Sequence, residues 1–281
     1  MKRILITGAN SYIGTSFEKY IVDNFPDAYA VSTLDMIGEN WRKANFAEYD
    51  CIFHVAGIAH QKETKENAHL YYEVNRDLAI EVAKKAKAEG VGQFIFLSTM
   101  SVYGKETGVI TKGTKPSPKS NYGRAKLEAE EGISPLNDDN FKVCILRPPM
   151  VYGKDCKGNF VKIKKLVERL PVFPCLKNER SFIYVENLSS FVKLCIDNSL
   201  SGLYFPQNKE RVQTVMMAKA IAKGMNKKLF ASRILGFFVW LIRPHVAMAK
   251  KAFGTLVYEN TEDFDYNYCT VDFDESIYRS I

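Results

Sequence analysis

The sequence predicts an α/β fold: a doubly wound parallel sheet with a smaller C-terminal lobe. Short, wholly apolar runs alternate with helical periods through the first half, which is the pattern of parallel strands covered on both faces. A glycine-containing turn joins the first run to the first helix. After Pro148 the alternation loosens and Gly and Pro become frequent. With 281 residues, 46% of them hydrophobic and 25% charged, the chain has enough apolar material for such a core.

Residues 3–7 read as a buried strand, and Ile13, Phe17, Tyr20 and Ile21 then recur at helical spacing. Further strands are expected over 28–34 and 51–56. A long helix follows, with Leu70, Val74, Leu78 and Val82 on one stripe and Gly90 past its end. Apolar strands at 94–97 and 143–146 bracket a helix at 122–133. Beyond them a strand at 181–185 enters a helix carrying Leu188, Phe191, Val192, Cys195 and Ile196. Helical segments are expected near 214–224 and 230–253, before a tyrosine-rich tail.

The charge of +7 reads as distributed along the chain, including a solvated helical face at Lys84, Lys85 and Lys87. No basic stripe interleaved with aromatics points to nucleic acid. The six cysteines lack metal-type spacing, and no metal site is expected. Cys51, Cys144 and Cys195 sit in apolar runs, as reduced thiols do, which suits a cytoplasmic protein. The chain opens on a strand and turn, without a signal-peptide pattern. The longest apolar run, residues 235–242, is too short to span a bilayer. A core or interface helix is its first reading and a membrane-surface contact its second.

The turn Ile6-Thr7-Gly8-Ala9-Asn10-Ser11-Tyr12-Ile13-Gly14 carries the first chemistry. Gly8 permits the sharp bend and Gly14 close helix–strand packing. The helix N-terminus then offers N–H groups and a positive dipole end to a pyrophosphate. This is a Rossmann-type arrangement, and it resembles the glycine fingerprint of short-chain dehydrogenases/reductases, with Ser11 in place of the middle glycine. An ordinary backbone conformation is therefore expected at Ser11. Asp35, near the end of the second strand, is the candidate for the adenosine ribose or adenine; a plain strand end is the alternative. The stretch 35–50 is too short for a further helix and strand, so the adenosine side is trimmed. No arginine follows that strand end, which favours NAD, with NADP as the alternative.

Tyr122 and Lys126 stand one helical turn apart on one face. A phenol titrates near pH 10, so a base at neutral pH needs a neighbouring ammonium and a positive nicotinamide. Residues 98–104, Ser-Thr-Met-Ser-Val-Tyr-Gly, put hydroxyls where a parallel strand ends. These features resemble the extended short-chain dehydrogenase/reductase family, the NAD-dependent epimerase/dehydratase group. The resemblance implies Thr99, Tyr122 and Lys126 as catalytic residues. It implies cofactor contacts from Gly8, Asn10, Ser11, Tyr12, Ile13, Gly14, Asp35, Ala56, Gly57, Asn75, Ser98, Tyr122, Lys126 and Pro148. Asn75 matches an asparagine that supports the site's backbone. His54 reads as a satisfied buried histidine, and His60 as a weaker substrate candidate.

Residues 146–153, 157–160 and 180–188 resemble UDP-sugar 4-epimerases and the 4-ketoreductases of O-antigen and capsule pathways. There the resemblance implies that Asn159 and Arg180 hold the substrate diphosphate, with Thr99, Ser101 and Tyr122 on the sugar; turn capping and a surface salt bridge are the plain alternatives. The expected domains are 1–152, with 181–198 returning to it, for NAD(P), and 153–180 with 199–281 for substrate. The expected function is C4 epimerisation of a UDP-hexose in surface polysaccharide biosynthesis. An NAD(P)H-dependent 4-ketoreductase and a non-catalytic NAD(P)-binding regulator are the alternatives. Met100 after Thr99 disfavours a dehydratase. A homodimer through the helices at 70–82 and 122–133 is expected by analogy.

Overall fold

In a computed structural model, residues 1–59, 61–243, 245–259 and 267–281 are described. The elements run β1 (Lys2–Thr7), α1 (Tyr12–Asn24), β2 (Tyr29–Leu34), β3 (Cys51–His54), α2 (Ala68–Tyr72), α3 (Leu78–Ala88), β4 (Gln93–Leu97) and β5 (Gly108–Ile110). Next come α4 (Asn121–Ile133), β6 (Lys142–Leu146), β7 (Met150–Tyr152), α5 (Asn159–Arg169), β8 (Val172–Pro174), β9 (Phe182–Tyr184), α6 (Val185–Asp197) and β10 (Gly202–Tyr204). The chain closes with α7 (Thr214–Gly224), β11 (Phe230–Ser232), α8 (Arg233–Ile242), α9 (Ala247–Phe253), β12 (Leu256–Tyr258) and α10 (Phe273–Arg279).

The first unit comprises Met1–Gly104, Pro116–Pro148 and Leu188–Pro206. Among the described residues its sheet has six parallel strands in the order β10-β6-β4-β3-β1-β2. Every residue of β3 and β4 is buried, because both faces are covered. Leu5, Ile52, Phe94, Phe96, Val143 and Ile145 face Ala79, Val82, Ala83, Ala86, Ala129 and Ile133 of α3 and α4. On the other face Phe17 of α1 meets Phe53 edge-on at 5.2 Å. The chain leaves β1 for β2 on one side and then returns to β3 on the other. That reversal opens a crevice at the carboxyl ends of β1 and β3, where open α/β sheets bind ligands.

Two expectations are corrected in this unit. Residues 68–88 are not one regular helix: a π-helical stretch, Glu73–Asp77, joins α2 to α3. Its wide turn shifts the buried face to Tyr71, Asn75, Ala79, Val82, Ala83 and Ala86, and leaves Leu70 at the surface. The segment that returns to the first unit is also shifted: it is Leu188–Pro206 rather than 181–198. β10 supplies the edge strand, whereas β9 pairs with β7 in a small two-stranded sheet. Three-residue strands carry too little pattern for sequence to say which neighbour they pair with. The trimmed stretch 35–50 holds one 3₁₀ turn, Asn40–Lys43, pinned by buried Trp41 with Phe46 after it.

The second unit comprises Lys105–Lys115, Pro149–Asn187 and Gln207–Ile281. Among the described residues it carries three short parallel pairs, β7 with β9, β8 with β11 and β5 with β12. Tyr152, Phe160, Phe182 and Tyr184 form its aromatic core. Asn208 and Asn187 tie it together: the Asn208 side chain donates to Tyr152 Oη at 3.1 Å, and Asn187 Nδ2 donates to Asn208 Oδ1 at 3.0 Å. Helix α8 corrects the core reading of 235–242. Gly236 is its one buried residue among those described, and most of its large side chains face solvent. No helix among the described residues is long and apolar enough to cross a membrane.

Candidate active site

The turn after β1 is held by backbone. Gly8 has φ +115°, and a Cβ on it would lie 2.7 Å from Ala56 N and 2.8 Å from Ala56 Cα. The ends of β1 and β3 thus meet where no side chain fits. Gly8 and Ala9 donate their N–H groups to the Leu34 carbonyl at 2.9 and 3.1 Å. Ser11 has φ −72° and ψ 140°, an ordinary extended residue as its side chain requires. Its Oγ caps α1 by accepting the Gly14 N–H at 3.2 Å. The left-handed residue is Asn10, φ +63°, which a reading centred on glycines misses although Asn tolerates that region. A Cβ on Gly14 would sit 2.6 Å from Ser11 Oγ and 3.0 Å from Ile6 Cγ2. Tyr12 and Ile13 form the first turn of α1, whose N–H groups leave the helix end. A glycine cradle opening onto a helix N-terminus fits a dinucleotide pyrophosphate.

Asp35 is exposed just past β2, and its carboxylate accepts the Ile37 N–H at 3.0 Å. On the facing strand end, Ala56 donates to the Thr7 carbonyl at 2.9 Å. A Cβ on Gly57 would lie 2.7 Å from Asn75 Oδ1 and 3.5 Å from Lys126 Nζ. Asn75, fully buried in the π-helical stretch, accepts the Ile58 N–H at 2.9 Å and donates to the Ile58 carbonyl at 3.1 Å. Its amide holds the Ile58 backbone through both the N–H and the carbonyl. π turns recur at functional sites.

His54 is only half satisfied. One ring nitrogen pairs with Thr7 Oγ1 at 2.8 Å, while Nε2 is buried with no partner among the described residues. Burial, and then the Lys126 charge, push its pKa down to about 3. A neutral imidazole stacked on Phe94 and Phe96 is a structural group. His60 lies outside the described residues.

β4 delivers the hydroxyls. Ser98 is buried; its N–H donates to the Leu146 carbonyl at 2.7 Å and its Oγ to Glu130. Thr99 caps the 3₁₀ turn Met100–Tyr103, accepting the Ser101 N–H at 3.1 Å. The exposed Ser101 Oγ accepts from Thr99 Oγ1 at 3.2 Å. The Pro148 carbonyl accepts the Met100 N–H at 2.9 Å and fixes the start of this turn.

Helix α4 starts here because Ser120 caps it, its Oγ accepting the Gly123 N–H at 3.1 Å. A Cβ on Gly123 would be 2.7 Å from the Ser101 carbonyl oxygen, so the helix packs closely on the Thr99 turn. The Tyr122 phenol lies beside the Thr99 hydroxyl. Burial raises its pKa and the Thr99 hydroxyl opposes that. Lys126 is 4% exposed, and its Nζ donates to the Leu97 carbonyl at 2.8 Å. Burial lowers its pKa to about 7 against the pull of Glu130.

Beneath the pair lies a cluster that the sequence reading missed. Glu130 and Arg147 form a buried bidentate pair, with side chains 5% and 7% exposed, and Arg147 also donates to Tyr103 Oη at 2.8 Å. The signal was available, since residues 122, 126 and 130 repeat at i, i+4, i+8.

In the second unit, Asn159 is exposed as the first residue of α5. Arg180 is partly buried, one N–H donates to the Gly254 carbonyl at 2.9 Å, and burial lowers its pKa to about 10. Among the described residues no carboxylate pairs with it, which removes the salt-bridge reading.

Known proteins share this sequence pattern and fold. The chain is 30% identical over 251 residues to UDP-glucose 4-epimerase of Vibrio cholerae, covering 80% of this chain and 76% of that one. It is 22% identical over 244 residues to an N-acetyl-α-D-glucosaminyl-diphospho-undecaprenol 4-epimerase of Escherichia coli O157:H7, with 80% and 73% covered. UDP-glucuronic acid 4-epimerase of Bacillus cereus, solved with NAD, shares the fold with a TM-score of 0.75 at 19% identity, over 99% of this chain and 95% of that one. Residues 4–204 match the model of the NAD dependent epimerase/dehydratase family, and the chain belongs to that family.

Proposed function

We propose that this protein is an NAD-dependent UDP-sugar 4-epimerase of surface polysaccharide biosynthesis, with Thr99, Tyr122 and Lys126 as its catalytic residues. The observation that carries the reading is Tyr122 one helical turn from the buried Lys126, whose Nζ is held on the Leu97 carbonyl at 2.8 Å, two residues before Thr99. Bound NAD supplies a hydride acceptor and donor at C4 and a positive charge. Tyr122 takes the O4 proton, and Thr99 hydrogen-bonds the reacting oxygen and relays that proton. Lys126, anchored on the Leu97 carbonyl, is lowered by burial to a pKa of about 7, so it is about half charged at neutral pH and loses that charge as pH rises.

Gly8, Ser11, Gly14 and Gly57 make the backbone cradle, with Asn10, Tyr12, Ile13, Ala56, Ser98 and Pro148 around it and Asp35 on the adenosine ribose. With no arginine at that strand end, NAD is the cofactor. Arg180 remains charged at neutral pH, and its unused N–H donors suit a diphosphate, with Asn159 as a second donor. A cytoplasmic location and a homodimer through the helices at 70–82 and 122–133 belong to the same reading; light scattering tests the second.

The test is a panel of UDP-hexoses incubated with purified protein, without added cofactor, while NMR follows C4. Interconversion of C4 epimers is the expected result. Turnover confined to a 4-keto sugar, with stoichiometric NAD(P)H oxidation, assigns the reductase reading instead. Tyr122→Phe is expected to lower turnover by roughly 10²–10⁴-fold while NAD still binds.

A further inference from the structure

Helix α8 presents Ile234, Phe237, Phe238, Trp240, Leu241 and Ile242 to solvent at 48–74% exposure. Monomeric soluble surfaces rarely keep so many adjacent large apolar side chains in water. The helix is held from behind, where a Cβ on Gly236 would be 2.1 Å from the Cys175 carbonyl oxygen. The surrounding sequence is one-signed: residues 211–258 hold nine Lys and Arg and no Asp or Glu. The whole chain carries +7, so the remainder is −2 (7 − 9) and the positive excess is concentrated here rather than distributed. Beside the helix opens a pocket of about 370 Å³ lined by Lys177, Arg233 and Arg243 together with Phe237 and Trp240. None of these three cations pairs with a carboxylate among the described residues.

We infer that α8 is a membrane-surface contact: its apolar face lies in the headgroup–acyl boundary of an anionic bilayer, and Lys177, Arg233 and Arg243 receive a lipid phosphate. Interfacial helices combine Trp, Phe and Leu on one side with Lys and Arg at the rim. Ten residues span about 15 Å, half of a hydrocarbon core, so the helix lies on the membrane and does not cross it. A second copy of the chain is the competing occupant. Two-fold pairing through α8 sets the same surface against itself; Lys250 pairs with Glu106, but Lys177, Arg233 and Arg243 would meet their own copies with no carboxylate among the described residues paired to them. Charge therefore selects the anionic lipid.

The chain has two tryptophans, and Trp41 is 2% exposed, so a change in emission reports Trp240. Phosphatidylglycerol vesicles are expected to sediment the protein and shift its emission to the blue, less so at high salt. Phosphatidylcholine vesicles are expected to do neither. Arg233→Gln and Arg243→Gln each lower vesicle affinity about fivefold. Phe237→Ser with Phe238→Ser abolishes it, while helical content and NAD binding persist. Equal binding to both vesicles, or binding to neither, overturns the inference. So does a lipid-free blue shift that grows with protein concentration alongside a dimer in analytical ultracentrifugation, which gives the face to a second copy.

Discussion

The Glu63 carboxylate accepts the backbone N–H of Tyr122 at 3.2 Å and that of Asn121 at 3.0 Å, across 59 and 58 residues of sequence. A negative group at these two orphan donors caps α4 and complements its dipole. Because the catalytic face begins at Tyr122, Glu63 acts as a positioning residue for the phenol. Glu63→Ala is expected to cost about 1–2 kcal/mol of stability. It should lower kcat more than it weakens NAD binding. Glu63→Gln, which keeps one acceptor, should recover part of both. A kcat unchanged in Glu63→Ala would separate this cap from the chemistry.

Glu130 is the counter-charge of Arg147 and the group that supports the charge on Lys126. Glu130→Gln strands a buried guanidinium, an expected loss of about 3–5 kcal/mol in chemical unfolding. It also removes the pull that raises the Lys126 pKa, so that pKa falls below its value of about 7. If activity needs the ammonium, the alkaline limb of the kcat/KM profile moves to lower pH in Glu130→Gln. Glu130→Asp keeps the charge and should leave the limb in place.

Gly57 sits where a Cβ would overlap Asn75 Oδ1 at 2.7 Å. Gly57→Ala must push Asn75 off the Ile58 backbone, costing about 1–3 kcal/mol. Asn75→Ala frees the same Ile58 groups, so the double variant should lose less than the sum of the singles in a thermodynamic cycle. Additive losses would mean that the two residues act separately.

His54 links stability to acid. Its folded pKa of about 3 lies below the usual 6.5. Between those values the unfolded chain binds a proton that the folded chain does not. Stability is therefore complete above about pH 6.5 and declines as pH falls toward 3, by at most about 1.4 kcal/mol per pH unit from this group. Urea unfolding from neutral to acid pH should show a shallower decline in His54→Gln. Equal slopes in the two proteins would assign the acid sensitivity to other groups.

Periodicity alone located the strands at 94–97 and 143–146 and the helix at 214–224, because their apolar patterns are long or unbroken. It failed over 68–88. The π-helical stretch puts Asn75 on the buried face, and no hydrophobic count announces a polar residue there. Pairings of three-residue strands, such as β9 with β7 in place of the main sheet, were equally invisible. The site divided the same way. Gly8, Thr99, Tyr122 and Lys126 stand at local spacings that chemistry makes recognisable. The left-handed backbone of Asn10, as distinct from its place in the turn, the cap Glu63 and the ion pair under Lys126 do not.

The order of amino acids by itself determined the alternation of strand and helix, the glycine cradle, and the one-turn spacing of Tyr122 and Lys126, since each depends on neighbours a few residues away. Tertiary structure decided the rest. Burial made His54 neutral and brought Lys126 to a pKa of about 7, and the path of the chain carried Glu63 to the N-terminus of α4. Desolvation and long-range contact belong to the folded volume, and a linear pattern does not encode the distance between residues far apart in the chain.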